Sequence, residues 1–322
     1  MFRNTMTTAR TMSTIVSQAI AKDIRSSATL IVAAPTTKST TGHNYELLMM
    51  KRNAKSSFIN AHVFPGGVVD KHDENWKMDN VSDLTNKICA IRETFEESGL
   101  LLTHPPAHTV LKDAATREEW RERVHNDASQ FKVLCESHKL VPAVDKLIPF
   151  ANWITPAAER RRYNAQFYLT VLDPSIAVQE TTAADGKELV QLDWFTPEQA
   201  LSAWREEKIV LIPPQWYSLH VMGPVKDHKD LASKAGLGAL RTMNGHVSTI
   251  MPQHGAVPEN DKREKEGYHT FLAYPGDEAY LDIKTGNPSG NPGDRHRIYI
   301  QGRMQYFDLE KNVNVPEPKS KL

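Results

Sequence analysis

The 322-residue chain has few cysteines, no charge excess and no long apolar run, and each shortage removes a class of protein. Two cysteines, Cys89 and Cys135, are too few for a disulfide framework or a structural zinc ribbon. Their scarcity points to a reducing compartment and to thiols that are buried or inert. Thirty-nine basic residues face 39 acidic ones, a balance that argues against a dedicated nucleic-acid or membrane surface. No apolar stretch approaches the ~20 residues a membrane helix needs, so a soluble protein is expected. His246, His254, His269 and His296 are scattered without ligand spacing, and no zinc site is read from them. What is present is a hydrophobic fraction of 40%, enough for a core, in a chain longer than one typical domain.

The chemistry concentrates in residues 64–103, where FPGG and a polar spacer precede AIRETFEESGLLLT. At ~100° per residue, a helix here places Glu93, Glu96 and Glu97 together on one side. Leu84, Ile88, Ile91 and Phe95 fall on the opposite side, and Cys89 falls on the acidic one. Like charges at this spacing repel, so a cation is expected among them, and hard Mg²⁺ or Mn²⁺ ions suit carboxylate oxygens. Gly99 stands where a helix ends in left-handed geometry, followed by Leu100, Leu101 and Leu102.

These residues resemble a Nudix box, whose pattern is G, five residues, E, seven residues, then R-E-U-x-E-E-x-G-U, with U apolar. Gly67 matches the first position and Arg92 to Leu100 match the last nine, with Thr94 in an apolar slot. The central Glu falls on Asp73 counting forward and on Leu84 counting back, which leaves about 11 residues inserted. Such an insertion, with a long C-terminal region, resembles the acyl-coenzyme A diphosphatases of peroxisomes and mitochondria. The resemblance implies an α+β fold: an α/β/α sandwich around a mixed sheet, with a helical insertion and a C-terminal extension. It also implies that Glu96 and Glu97 ligate metal, that Glu93 ligates metal or serves as base, and that Gly67 adds a carbonyl. Arg92 would hold a carboxylate in position through a bidentate pair.

Residues 1–27 are basic and rich in Ser and Thr, as in a transit peptide or a mobile arm. A Nudix domain is expected over residues 28–222, with strands at 28–34 and 45–52 and a surface loop at 68–82. Residues 107–145 form an added helical segment, either a specificity element or packing bulk. Strand-like stretches at 147–156 and 163–172 flank Arg160, Arg161 and Arg162, which form a solvated run or a phosphate contact. Thr196 and Pro197 begin a helix, and Glu180 or Glu188 before it is a candidate for the metal site. Trp216 and Tyr217 either stack on a base or pack in the core. Residues 223–315 form an extension with strands at 270–274 and 298–309. Residues 316–322 end in Ser320-Lys321-Leu322, which matches a peroxisomal address read by an import receptor.

Together these features imply metal-dependent hydrolysis of the diphosphate of coenzyme A or acyl-CoA in peroxisomes, with mitochondria as a second destination if the arm is a transit peptide. The alternatives are a diphosphatase acting on NADH or another dinucleotide, and a catalytically inactive Nudix module that binds nucleotide. Neither nucleic acid nor a membrane is an expected partner.

Overall fold

The apolar run at residues 28–34 belongs to a longer strand, β1 (Ile24–Pro35), in which Leu30, Ile31, Val32 and Ala33 are all fully buried. A near-continuous apolar run reads as a strand covered on both faces. The strand starts inside the segment expected to be an arm, and Ser27 already pairs with Val68. The computed structural model describes residues 24–37, 40–52, 61–174, 191–234, 240–242, 244–302 and 305–316. Glu180, Glu188, Ser320, Lys321 and Leu322, and the arm up to residue 23, lie outside the described residues.

The chain divides into two compact units. The first comprises Ser26–Phe150 and Ala165–Gly238. After β1 it carries β2 (Tyr45–Lys51), β3 (His62–Val63), β4 (Gly66–Val68) and a 3₁₀ helix at Lys71–Asn75. Helix α1 (Leu84–Ser98) and β5 (Thr103–His104) follow, then α2 (Ala107–Val110), α3 (Ala114–Asn126), α4 (Ser129–Ser137) and β6 (Val141–Pro142). Strands β7 (Ile148–Ile154) and β8 (Arg162–Val171) lead on to β9 (Gln191–Phe195), α5 (Pro197–Arg205), α6 (Pro213–Met222) and α7 (His228–Lys234).

Strand β1 pairs antiparallel with β2 near its end, Ala33 opposite Leu47, and with β4 near its start, Ala28 opposite Gly67. β2 also pairs with β3 and β9, and Ala61 bridges Val210 in the parallel sense, so the sheet is mixed. The turn from β1 to β2 closes through the Thr36 N–H, which donates to the Asn44 carbonyl at 2.9 Å. Thr196 caps α5 as its sequence predicts, accepting from the Gln199 N–H while Gln199 accepts from the Thr196 N–H.

The helical segment contains the short α2 and two longer helices, α3 and α4, broken at Asp127 and Ala128 and anchored by buried Val124, Phe131 and Leu134. Residues 68–82 are not merely a loop. Their 3₁₀ helix is closed by a capping box between Asp70 and Asp73, which fixes Asp73 in the interior.

The second unit comprises the described residues of Met1–Arg25, Ala151–Asn164 and the described residues of Ala239–Leu322, so it takes the end of β7 and the start of β8. The division therefore falls later than the expected start of an extension at residue 223, and it takes in an internal hairpin. The Thr155 N–H donates to the Tyr163 carbonyl at 2.9 Å to close that hairpin, and β10 (Thr249–Ile250) joins Asn152 and Trp153 in parallel. β11 (Gln253–Ala256), a short helix α8 (Lys262–Lys265), β12 (Thr270–Ala273), β13 (His296–Gln301) and β14 (Tyr306–Lys311) follow. These strands form an antiparallel sheet in the order β11-β12-β13-β14. The stretch 298–309, read as one strand, is a hairpin with Ile298 opposite Leu309. Val257, Phe271, Tyr280 and Tyr299 build this unit's apolar core.

Candidate active site

Helix α1 is held at both ends by polar contacts. Asp83 precedes it in left-handed conformation and accepts from the Asn86 side chain at 2.5 Å and from the Tyr168 hydroxyl. Gly99 ends it at φ 77°, its N–H donating to the Phe95 carbonyl at 2.8 Å. Ile88, Ile91 and Phe95 enter the core as their spacing requires. Thr94, in the apolar slot, is also buried and satisfies its hydroxyl on the Ala90 carbonyl at 2.7 Å. The acidic side of the helix is covered too, because β4 and the 3₁₀ helix pack against it.

Arg92 organises that covered face. Its Nε and Nη2 donate to the two oxygens of Asp73, both at 2.8 Å, with the Arg92 side chain 4% and that of Asp73 2% exposed. Nη1 donates to Glu93 Oε1 at 2.9 Å and to Glu96 Oε1 at 2.6 Å, and Nη2 also reaches the Val68 carbonyl at 3.3 Å. One guanidinium thus orders three carboxylates, the bidentate pair fixing its plane. Asp73 settles the gap in the motif: the partner six residues after Gly67 is the one that meets Arg92. Leu84 instead opens the helix and packs against the apolar core.

Glu97 completes the group. Its Oε2 accepts from the Gly66 N–H at 2.8 Å. Burial, reinforced by Glu96, pushes Glu93 up to about 7, although Arg92 opposes the rise. Burial, reinforced by Glu93, pushes Glu97 up to about 8 against the Gly66 hydrogen bond and Arg52. Both carboxyls are thus raised chiefly because burial disfavours the charged form, with the neighbouring carboxylates adding to the rise. His125 Nδ1 lies 3.5 Å from Glu96 Oε2, and the His125 side chain is 71% exposed.

The glycines are set by close approach. A Cβ on Gly67 would stand 2.4 Å from the Glu93 carboxyl carbon, and one on Gly66 would stand 2.3 Å from the Ala28 carbonyl oxygen. Cys89 is buried below, its thiol donating to the Gly67 carbonyl at 3.7 Å and its pKa raised mainly by burial. A set of hard oxygen donors with surplus negative charge, beside a backbone stripped of side chain, fits a divalent cation. Among the described residues no three His, Cys, Asp or Glu side chains converge as a ready-made cage. Glu93 and Glu96 are instead turned onto Arg92, and Glu97 onto Gly66.

The other candidates belong to other elements. Arg162 is buried in the second unit, donating to the Thr155 carbonyl at 3.1 Å and meeting Met251 Sδ at 3.3 Å, so it braces a hairpin. Arg160 and Arg161 are exposed in the same unit, as a solvated run would be. Trp216 and Tyr217 sit in helix α6 at 5% and 0% exposure, with Trp216 against Trp204 and stacked on His220. Theirs is the core reading.

The family model for the NUDT19 Nudix domain matches residues 24–81 and 77–222. The chain belongs to this Nudix family. The two matched segments meet inside the stretch where the Nudix box is interrupted. The chain is 30% identical over 280 residues to "Acyl-coenzyme A diphosphatase NUDT19" of Xenopus laevis, covering 67% of this chain and 72% of that protein. The protein of the same name from Gallus gallus is 31% identical over 232 residues, covering 55% of this chain and 60% of that one. Among solved structures, a Nudix hydrolase from Alicyclobacillus acidocaldarius superposes with a TM-score of 0.53 at 18% identity, over 66% of this chain and 97% of that one. That likeness establishes the α+β Nudix fold, and membership makes the chain a Nudix hydrolase. Nudix hydrolases generally use divalent metal ions. No described helix is long and apolar enough to cross a membrane.

Proposed function

We propose that this Nudix hydrolase cleaves the diphosphate linkage of coenzyme A and its acyl esters. The products are adenosine 3′,5′-bisphosphate and (acyl-)4′-phosphopantetheine. The observation that carries this reading is the surplus of buried carboxylate around Arg92, in a chain whose frog and chicken relatives are named acyl-coenzyme A diphosphatases.

Glu93, Glu96 and Glu97 would hold Mg²⁺ or Mn²⁺, with the Gly67 carbonyl as a further ligand. Such an ion, when bound, neutralises charge on the diphosphate and lowers the pKa of a coordinated water. The chain's own residues supply orientation. Asp73 fixes the plane of Arg92, and Arg92 sets Glu93 and Glu96 through one nitrogen. The Gly66 N–H fixes one oxygen of Glu97, and Gly67 lets the Glu93 carboxylate approach the backbone. Glu93 is also the candidate to accept the proton of the attacking water.

Purified protein incubated with Mg²⁺ and, separately, coenzyme A, NADH or capped RNA separates the enzyme readings by chromatography. Release of adenosine 3′,5′-bisphosphate from coenzyme A is expected. Intact coenzyme A beside cleaved NADH would overturn the substrate assignment, and no cleavage of any substrate would favour a binding module. The proposed location is peroxisomal, through recognition of Ser320-Lys321-Leu322 by an import receptor. Deleting these three residues should release a tagged protein from peroxisomes; retention there would show that another segment carries the address, and a mitochondrial location before and after deletion would point to the N-terminal arm.

A further inference from the structure

Helix α1 has no basic residue in its last turn, yet its negative dipole end lies beside Glu93, Glu96 and Glu97. The missing positive charge arrives from α3. Arg121 donates through Nε to the Glu96 carbonyl at 2.8 Å and through Nη2 to the Glu97 carbonyl at 2.9 Å. Its Nη1 reaches Glu118 Oε2 at 3.4 Å, and the side chain is only 19% exposed. The two preceding carbonyls are also occupied, Thr94 by the Ser98 hydroxyl at 2.6 Å and Phe95 by the Gly99 N–H at 2.8 Å. The carbonyls from Thr94 to Glu97 therefore all have donors, and Arg121 supplies the two that belong to acidic residues of the site.

We propose that Arg121 is a positioning residue for the cation-binding carboxylates, clamping the backbone from which Glu96 and Glu97 project. This rests on the reading of Glu93, Glu96 and Glu97 as a metal group, and it gives the inserted helical segment a task in that site. Two properties of Arg121 act in opposite directions. Its charge repels a cation nearby, whereas its fork fixes the ligands in place. Arg121→Lys separates them, keeping the charge while losing the paired geometry.

The test measures kcat and KM for coenzyme A, Mn²⁺ affinity by titration calorimetry without substrate, and thermal stability. Displacement of catalytic groups by about 1 Å can cost 100-fold, so R121K should lose about tenfold or more in kcat, with KM within about twofold. Its Mn²⁺ affinity should fall several-fold, and R121Q should lose at least as much kcat. Wild-type kcat and Mn²⁺ affinity in R121K would overturn the proposal, whether or not the melting temperature drops, because charge or simple capping would then suffice. R121K alone decides the matter should R121Q fail to fold. The Mn²⁺ titration remains readable even if coenzyme A is not the substrate.

Discussion

The two units each contain an arginine locked through Nε and Nη2 onto a buried aspartate, and the surroundings of the two pairs differ. In the second unit Arg297 donates to Asp277 at 2.7 and 2.6 Å, Arg295 pairs with Glu278 at 2.5 Å, and the Asp277 carboxylate also receives the N–H groups of Ala279 and His296. Two cations meet two anions, and the Arg297 guanidinium lies 4.1 Å over the Phe271 ring. That cluster is charge-balanced and joins a loop to β13. Around Arg92, one buried guanidinium faces Asp73, Glu93 and Glu96, with Glu97 beside them. Burying paired charges is at best weakly favourable, and burying an excess is costly. The same fork therefore acts as a clasp where charges balance and prepares a cation site where they do not.

The largest effect that would break this contrast is on Glu97. Glu97→Gln removes a carboxylate from the surplus and should lower turnover by more than about 100-fold, since even outer partners of a metal are worth 10–100-fold. Steady-state assays with circular dichroism should show the loss in a folded protein. Asp73→Asn tests the fork itself. Losing its charge should cost about 10–100-fold in activity, with a corresponding fall in Mn²⁺ affinity. Wild-type behaviour would show that the plane of Arg92 needs no second anchor.

Arg297→Ala should act on stability alone. It strands Asp277, which is 0% exposed, and should destabilise the second unit by about 3–5 kcal/mol in denaturant unfolding. Mn²⁺ affinity at the first unit should be unchanged. The smallest effect is on pH dependence. His296 is fully buried, its Nδ1 meeting the Pro275 carbonyl at 2.8 Å, and burial, assisted by Lys311, lowers its pKa from 6.5 to about 4 despite the opposing pull of that carbonyl and Asp277. The folded state therefore binds this proton less readily than the unfolded state. The resulting stability is present above pH 6.5 and lost as pH falls toward 4, by about 3 kcal/mol. Urea unfolding of wild type and His296→Asn across this range should show a flatter profile in the variant.

Local signals were the legible ones. Gly99 as a helix stop, Thr196 with Pro197 as a helix start, and the apolar stripe from Ile88 to Phe95 each follow from rules acting within a few residues. The three glutamates were visible for the same reason. Asp73 was not, because counting forward and backward across an insertion gave two incompatible slots, and only the capping box with Asp70 shows which one turns inward. The Arg121 contacts were hidden by separation, since the donor stands 24 and 25 positions after its acceptors in the chain. Residues 298–309 misled because the apolar stretches on either side of Gln301-Gly302 were joined into one strand across a turn signal, and Arg162 misled because its run of three looks uniform although only Arg162 is buried.

Mn²⁺ titration of the wild-type protein, Glu97→Gln and Arg297→Ala side by side tests the claim about charge surplus most directly. Saturable binding to wild type and Arg297→Ala, with marked weakening in Glu97→Gln, is the predicted result. Equal affinity in all three proteins, or no binding to wild type, would contradict it.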